Sequence, residues 1–197
     1  MSVHMSGPAD PARTHLARVL DRFRPRTPAE AADVERVRAL PPGADPWARS
    51  EPLHVTASAL IVHPPTARVL LRWHARQRAW IQVGGHADPG ETDPLAVALR
   101  EGAEETGLRD LTPWPDPGLV QVAVVPVPAA PHEPAHEHAD LRFLLATRTP
   151  EAAVPEKPDA PLRWLPVEEA RALTTEPNVR ELLSRTARLF DAPSPPG

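Results

Sequence analysis

The chain has 197 residues, 22 Lys and Arg against 26 Asp and Glu, a net charge of −4, 28 prolines and no cysteine. That length suits one domain with a substantial core plus extensions and leaves little room for two. Without cysteine there is no disulfide frame, thiolate metal site or cysteine nucleophile, which fits a reducing compartment. A weakly acidic chain without a dense basic run also argues against long nucleic acid as a partner.

Residues 1–26 include His4, Asp10, Arg13, Arg18 and Asp21 and lack the continuous apolar core of a signal peptide. No later stretch is apolar for long enough to span a bilayer, so the expectation is a cytoplasmic protein that does not engage a membrane. Leu16, Val19, Leu20 and Phe23 recur at helical spacing and predict a helix over 12–23. Thr27-Pro28-Ala29-Glu30 reads as a capping box with proline at the first helical position, leading a second helix to about residue 40. Residues 1–50 are therefore expected to form a helical extension packed on a main domain of residues 51–191, with 192–197 as a flexible tail.

Beyond Pro52 the chain alternates in strand fashion. Residues 53–62 and 68–73 flank His63-Pro64-Pro65-Thr66, which reads as a hairpin turn. Short apolar runs at 79–83, 119–127, 139–147 and 162–165 predict further strands, and 167–173 and 178–190 predict the last two helices. Proline clusters at 113–117, 126–134, 150–161 and 193–196 mark loops and the tail. There is no internal repeat.

Between the strands lies a helix with clear ends. Asp93 before Pro94 is an N-cap signal, and Gly107-Leu108 is a glycine C-cap with its apolar partner, so a helix spans about 94–106. At about 100° per residue, Leu95, Leu99, Ala103 and Thr106 fall on one side, and Glu101, Glu104 and Glu105 gather within roughly 100° on the other. Carboxylates at these spacings repel by a few tenths of a kcal/mol per pair, and Arg100 offsets only part of that. A cation is wanted there, and hard divalent ions take oxygen ligands and bridge to phosphates. A solvated acidic helix face is the plain alternative, but it leaves Gly84, Gly85, Glu91 and Arg100 unexplained.

The stretch 85–108, GHADPGETDPLAVALREGAEETGL, resembles the signature of the Nudix hydrolases at Gly85, Glu91, Arg100, Glu101, Glu104, Glu105, Gly107 and Leu108. These are metal-dependent enzymes that cut a diphosphate bond in nucleoside diphosphates linked to a further group. Two departures stand out. Residues 92–99 separate Glu91 from Arg100, one more than the family usually has; the cap signal at Asp93 places the extra residue in the loop before the helix. Gly102 stands where the family prefers an aliphatic residue, costing the helix about 0.5 to 1 kcal/mol relative to Ala and allowing close approach to a sheet.

The resemblance covers roughly residues 52–175. It implies an α/β fold, a Nudix-like α/β/α sandwich with a mixed β-sheet, to which the N-terminal helical extension is added. It further implies Mg²⁺ or Mn²⁺ held by Glu101, Glu104, Glu105 and the carbonyl of Gly85, with Arg100 and Glu91 orienting those acids and water attacking phosphorus. In many Nudix enzymes a glutamate from a later loop binds metal or acts as base; Glu137 is the first candidate here and Glu133 the second. A rival is a non-catalytic Nudix-type nucleotide-sensing regulatory domain. Such modules generally lose the box acids, and here all are present.

Other residues carry weaker signals. His132, Glu133, His136, Glu137, His138 and Asp140 crowd a segment entering a strand, in which His136, His138 and Asp140 share one face and Glu137, Ala139 and Leu141 the other. Three histidines near carboxylates suit a zinc or manganese site, set against an ordinary solvated loop. Arg72, His74, Arg76 and Arg78 lie between Trp73 and Trp80. Arg72 could bind phosphate and Trp80 stack on a base, set against an exposed hairpin with a buried indole. His86, after the glycine pair, is a candidate substrate contact or an ordinary loop histidine. For the substrate, the absence of tyrosine removes the residue associated with dinucleoside polyphosphate cleavage, and the absence of cysteine argues against the isopentenyl diphosphate isomerase branch. Pro126 falls further beyond the box than the proline of ADP-ribose enzymes. A small-molecule nucleotide is as far as the residues go, and a homodimer is compatible with them.

Overall fold

The computed structural model describes residues 11–131 and 133–192; His132 and residues 193–197 of the expected tail lie outside them. Two proline-led helices come first, α1 (Pro11–Arg22) and α2 (Pro28–Arg38). They are followed by strands β1 (Leu53–His63), β2 (Arg68–His74), β3 (Ala79–Ile81) and β4 (Val83–His86), then helix α3 (Pro94–Thr106). After it come β5 (Thr112–Pro113), β6 (Gln121–Val127), β7 (His136–Ala146), β8 (Leu162–Pro166), α4 (Val167–Leu173) and α5 (Pro177–Phe190). The strands form one mixed eight-stranded sheet. β1 is parallel to β7, from Leu53 opposite Glu137 to Val62 opposite Ala146, and antiparallel to β2 and β4.

β1 is central, covered on both faces and buried at every interior position, including the polar His54, Thr56 and Ser58. Ala57, Ala59 and Ile61, with Leu141, Phe143 and Leu145, pack against Val97 and Ala98 of α3 and the apolar sides of α1 and α2. Leu60, Val62, Val69, Leu71 and Leu144 pack on the other side against Ala170, Val179, Leu182 and Leu183 of α4 and α5. The three-layer α/β/α arrangement is the expected one.

The N-terminal helices share the first of these cores through Leu16, Leu20, Val34 and Val37. Their capping box is only half as expected. Thr27 Oγ1 accepts the Glu30 N–H at 3.1 Å, but the Glu30 carboxylate is buried and takes the N–H of Arg26, the N–H of Val122 and the guanidinium of Arg185. Asp33 accepts the N–H of Val124. α2 thus lies along the outer edge of β6 and satisfies its free donors.

Several boundaries differ from expectation for identifiable reasons. The 79–83 run is broken at Gln82 into β3 and β4, and β6 begins two residues later than the apolar run before it. β7 starts at His136 because its polar entry residues ladder with β1 as well as the apolar ones do. β5 lies inside a proline cluster assigned to a loop, at the sheet margin where proline is tolerated.

Candidate active site

β4 carries two glycines, one fitted against β1 and the other against α3. Gly84 has φ 150°, and a Cβ there would fall 2.3 Å from Ser58 Cβ of the neighbouring strand. A Cβ at Gly85 would lie 2.6 Å from the carboxylate carbon of Glu101. Only a bare backbone admits the Glu101 carboxylate at this distance. α3 begins as expected, with Asp93 accepting the Leu95 N–H at 2.9 Å, and ends at Gly107 with φ 70°. Gly102 also meets its expectation: a Cβ would sit 3.1 Å from Leu111 Cδ1 and near Leu145 and Ile61 of the core.

Arg100 organises the acids. Its Nε and Nη2 bond Glu91 at 3.0 and 2.9 Å, its Nη1 bonds Glu101 at 2.9 Å and Glu104 at 3.0 Å, and Nη2 also donates to the His86 carbonyl at 2.8 Å. The extra residue between Glu91 and Arg100 is absorbed by the loop, since Glu91 reaches the guanidinium and also accepts the Asp88 N–H. The Arg100 hydrogen bonds hold the Glu91 carboxyl below the ordinary carboxylate range. Burial pushes Glu101 upward against the opposing pull of Arg100.

The three acids, grouped by the helical wheel on one side of α3, differ in exposure. The buried side of α3 consists of Val97, Ala98, Gly102, Glu105 and Thr106, while Leu95 and Leu99 are only partly covered. Glu105 therefore points toward the sheet, Glu104 is exposed and Glu101 lies between. Glu105 accepts the Gly84 N–H at 3.1 Å and pairs with Arg72 at 3.3 Å. Burial pushes its carboxyl up to about 7, against the lowering effect of Arg72.

Strand alternation separates other residues that sequence reasoning had grouped. Arg72 turns to Glu105, whereas Trp80 pairs with Trp73 at 5.7 Å between ring centroids and lies beneath the Arg163 guanidinium at 4.7 Å. They form no common nucleotide clamp. Glu137 also stands apart from the acids: its position in β7 turns it toward α2, where both carboxylate oxygens are held by Arg36. Glu133 is paired with Arg76. Neither late glutamate is brought to Glu101, Glu104 or Glu105.

His86 lies on the sheet face opposite α3, as does a polar strip that sequence reasoning missed. The buried Asp140 carboxylate accepts bonds from Thr56 (3.2 Å), Ser58 (2.8 Å), Gln82 (3.1 Å) and Arg142 (2.7 Å). Arg142 continues to Gln121 and Asn178, both at 3.0 Å. The available signal was the alternation His54, Thr56, Ser58 in β1 beside His138, Asp140, Arg142 in β7.

A mixed-sheet sandwich with a glutamate-bearing helix seated against a Gly-Gly strand defines the class of this site. The NUDIX domain pattern matches residues 52–186, well over half of the chain, and the chain belongs to the Nudix hydrolase family. A probable DHNTP pyrophosphohydrolase of Lactococcus lactis subsp. cremoris (strain MG1363) is 31% identical over 108 residues, which cover 54% of this chain and 61% of that protein. The match thus spans less than two thirds of the relative. In fold the chain is similar to a C. elegans Ap4A hydrolase in a binary complex, with a TM-score of 0.56 at 20% identity, covering 70% of this chain and 97% of that one. It is also similar to the E. coli dihydroneopterin triphosphate pyrophosphohydrolase, with a TM-score of 0.51 at 22% identity over 68% and 94% of the two chains. Among the described residues, no helix is long and apolar enough to cross a membrane.

Proposed function

We propose that this chain hydrolyses a diphosphate bond in a small cytoplasmic nucleotide, a nucleoside diphosphate linked to another group, with Mg²⁺ or Mn²⁺ as cofactor. The observation that carries this reading is the Arg100 guanidinium binding Glu91, Glu101 and Glu104 together beside the bare Gly84–Gly85 backbone. The donor set fits a hard cation: three carboxylates and the Gly85 carbonyl supply oxygens, and Mg²⁺ needs only one or two direct carboxylates because it keeps several waters. Glu101, Glu104, Glu105 and Gly85 would hold the ion, which when bound neutralises charge on the phosphate oxygens and acidifies water.

The protein's own groups supply the rest. Arg100 and Glu91 fix the acids in place. Glu105 would serve as an ionised oxygen ligand from the sheet side, held by the Gly84 N–H. Arg72 stands next to it as a cation for phosphate or for the Glu105 charge.

The partial relative directs the choice of substrates to test. Purified protein should be assayed with Mg²⁺ or Mn²⁺ against nucleoside triphosphates, dinucleoside polyphosphates, ADP-ribose, nucleotide sugars and dihydroneopterin triphosphate, with the products identified. Many turnovers per chain, dependent on metal and lost in Glu104→Gln, are expected. Tight binding of one compound without turnover would overturn the enzymatic reading in favour of a sensor.

A further inference from the structure

Beyond the carboxylate site, the closest grouping of metal-ligating atoms among the described residues belongs to histidines. One ring nitrogen from each of His54, His86 and His138 lies within 4.8 Å of the other two. The three sit on adjacent strands β1, β4 and β7, with His54 opposite His138 and His86 opposite Thr56, so the sheet itself sets their spacing. His136 adjoins them, its ring stacked on that of His54 at 5.2 Å between centroids.

The hydrogen bonds fix which nitrogens face inward. His54 Nδ1 lies 2.9 Å from the Glu51 carbonyl and His136 Nδ1 2.9 Å from the Pro134 carbonyl. A carbonyl only accepts, so each Nδ1 carries the proton and each Nε2 presents a lone pair. Those lone pairs point at other imidazoles: His54 Nε2 is 3.0 Å from His86 Nε2, and His136 Nε2 is 3.0 Å from His138 Nε2. Without a metal, one proton must sit between the nitrogens of each pair. With one, the lone pairs of His54, His86 and His138 are free to converge. Anchoring of Nδ1–H by a backbone carbonyl is the outer-shell arrangement that orients metal-bound histidines. His54 is only 1% exposed, and an imidazole is costly to bury as mere packing.

We propose that His54, His86 and His138 form a second metal site on the sheet face opposite α3, taking a borderline transition ion such as Zn²⁺, with His136 closing its fourth side. Imidazole suits zinc and carboxylate suits magnesium, so the two sites sort metals by chemistry. Three neutral nitrogens with a fourth at the open position match zinc's tetrahedral habit. The site has a direct line to the acids, because the backbone carbonyl of His86 accepts the Arg100 bond. A metal there would pin the end of β4 that carries Gly85.

The test uses the full chain, stripped with chelator and reloaded. One zinc per chain should remain after dialysis against Mg²⁺, and Co²⁺ should give the ligand-field bands of a tetrahedral nitrogen site. Zinc at a hundredfold excess over its dissociation constant should raise Tm by about 5 to 10 °C. His54→Ala and His138→Ala should lose the zinc, the bands and the Tm rise, whereas Glu104→Gln should keep all three. Circular dichroism checks that the variants fold, and His138→Gln replaces any that does not. Zinc retained in the folded histidine variants, or lost in Glu104→Gln, overturns the assignment. So does a parent protein whose zinc is displaced by Mg²⁺. None of these readouts depends on diphosphatase activity.

Discussion

Arg72 of β2 and Glu105 of α3 form an ion pair 3.3 Å apart, their side chains only 12% and 11% exposed. The pair is imperfect, because Arg72 Nε is buried without a partner. Burial pushes the Glu105 carboxyl up to about 7 from its ordinary 4.5, and Arg72 offsets that only in part. Between those values the native state binds a proton that the unfolded chain has released, so this group's contribution to stability is full below about 4.5 and is lost as pH rises through 7. The shift corresponds to at most about 3 kcal/mol. His86 and His138 act in the opposite sense below 6.5, since the unfolded chain there binds protons that the native state excludes. The comparison that isolates Glu105 is parent against Glu105→Gln. In metal-free urea unfolding, the parent should lose stability relative to the variant between pH 5 and 8, and a constant difference would contradict the buried charge.

Arg100→Lys should raise the Mg²⁺ concentration needed for half-maximal turnover by about 10- to 100-fold. A guanidinium fork bonds Glu91, Glu101, Glu104 and the His86 carbonyl at once, and an ammonium cannot reproduce that geometry. A metal-activation curve checks it. An unshifted curve would mean that the acids hold their places without the fork.

Glu104→Gln should cut turnover by about a hundredfold or more while the fold survives, because it removes an exposed charge that repels Glu101. Rates and thermal melts should be measured together. Slow turnover with a lowered Tm would point to a structural role instead.

Glu137→Gln should leave turnover unchanged and cost at most about 1 kcal/mol of stability, the value of a partly exposed ion pair with Arg36. A loss of 10²- to 10⁴-fold, the range of general acid–base catalysis, would return Glu137 to the chemistry.

Arg185 and Glu30 are 1% and 4% exposed and joined by two hydrogen bonds, at 2.7 and 3.1 Å. Replacing either alone, as in Arg185→Met, leaves an unpaired buried charge and should cost about 3 to 5 kcal/mol. The urea midpoint should fall with an unchanged slope. A drop below 1 kcal/mol would mean that water reaches the site.

Some of this was legible in the chain and some was not. Asp93, Pro94 and Gly107 fixed α3 because caps are local chemistry, and the box acids followed from its register. The direction of Glu105 was not readable, because burial of a helix face depends on where the sheet lies and not on the helix's own polarity. Leu95 and Leu99 look like the core side but are only partly covered, while Gly102 faces Leu111, Leu145 and Ile61. Glu137 was chosen by residue type, and its partner Arg36 lies 101 residues away. His54 was overlooked because it stands in an apolar strand far from the other histidines, and only the parallel pairing of β1 with β7 brings them together.

The carboxylates of Glu30 and Asp33 on the backbone donors of β6 carry a last consequence. A strand margin with open N–H groups is a template on which another chain can add itself, and proteins commonly protect such margins with charge or a covering element. Here the protection is supplied by a segment that precedes the family domain. Removing α2 would leave the box residues in the chain but bare the Val122 and Val124 donors, together with the core they border, as a margin on which another chain could pair edge to edge.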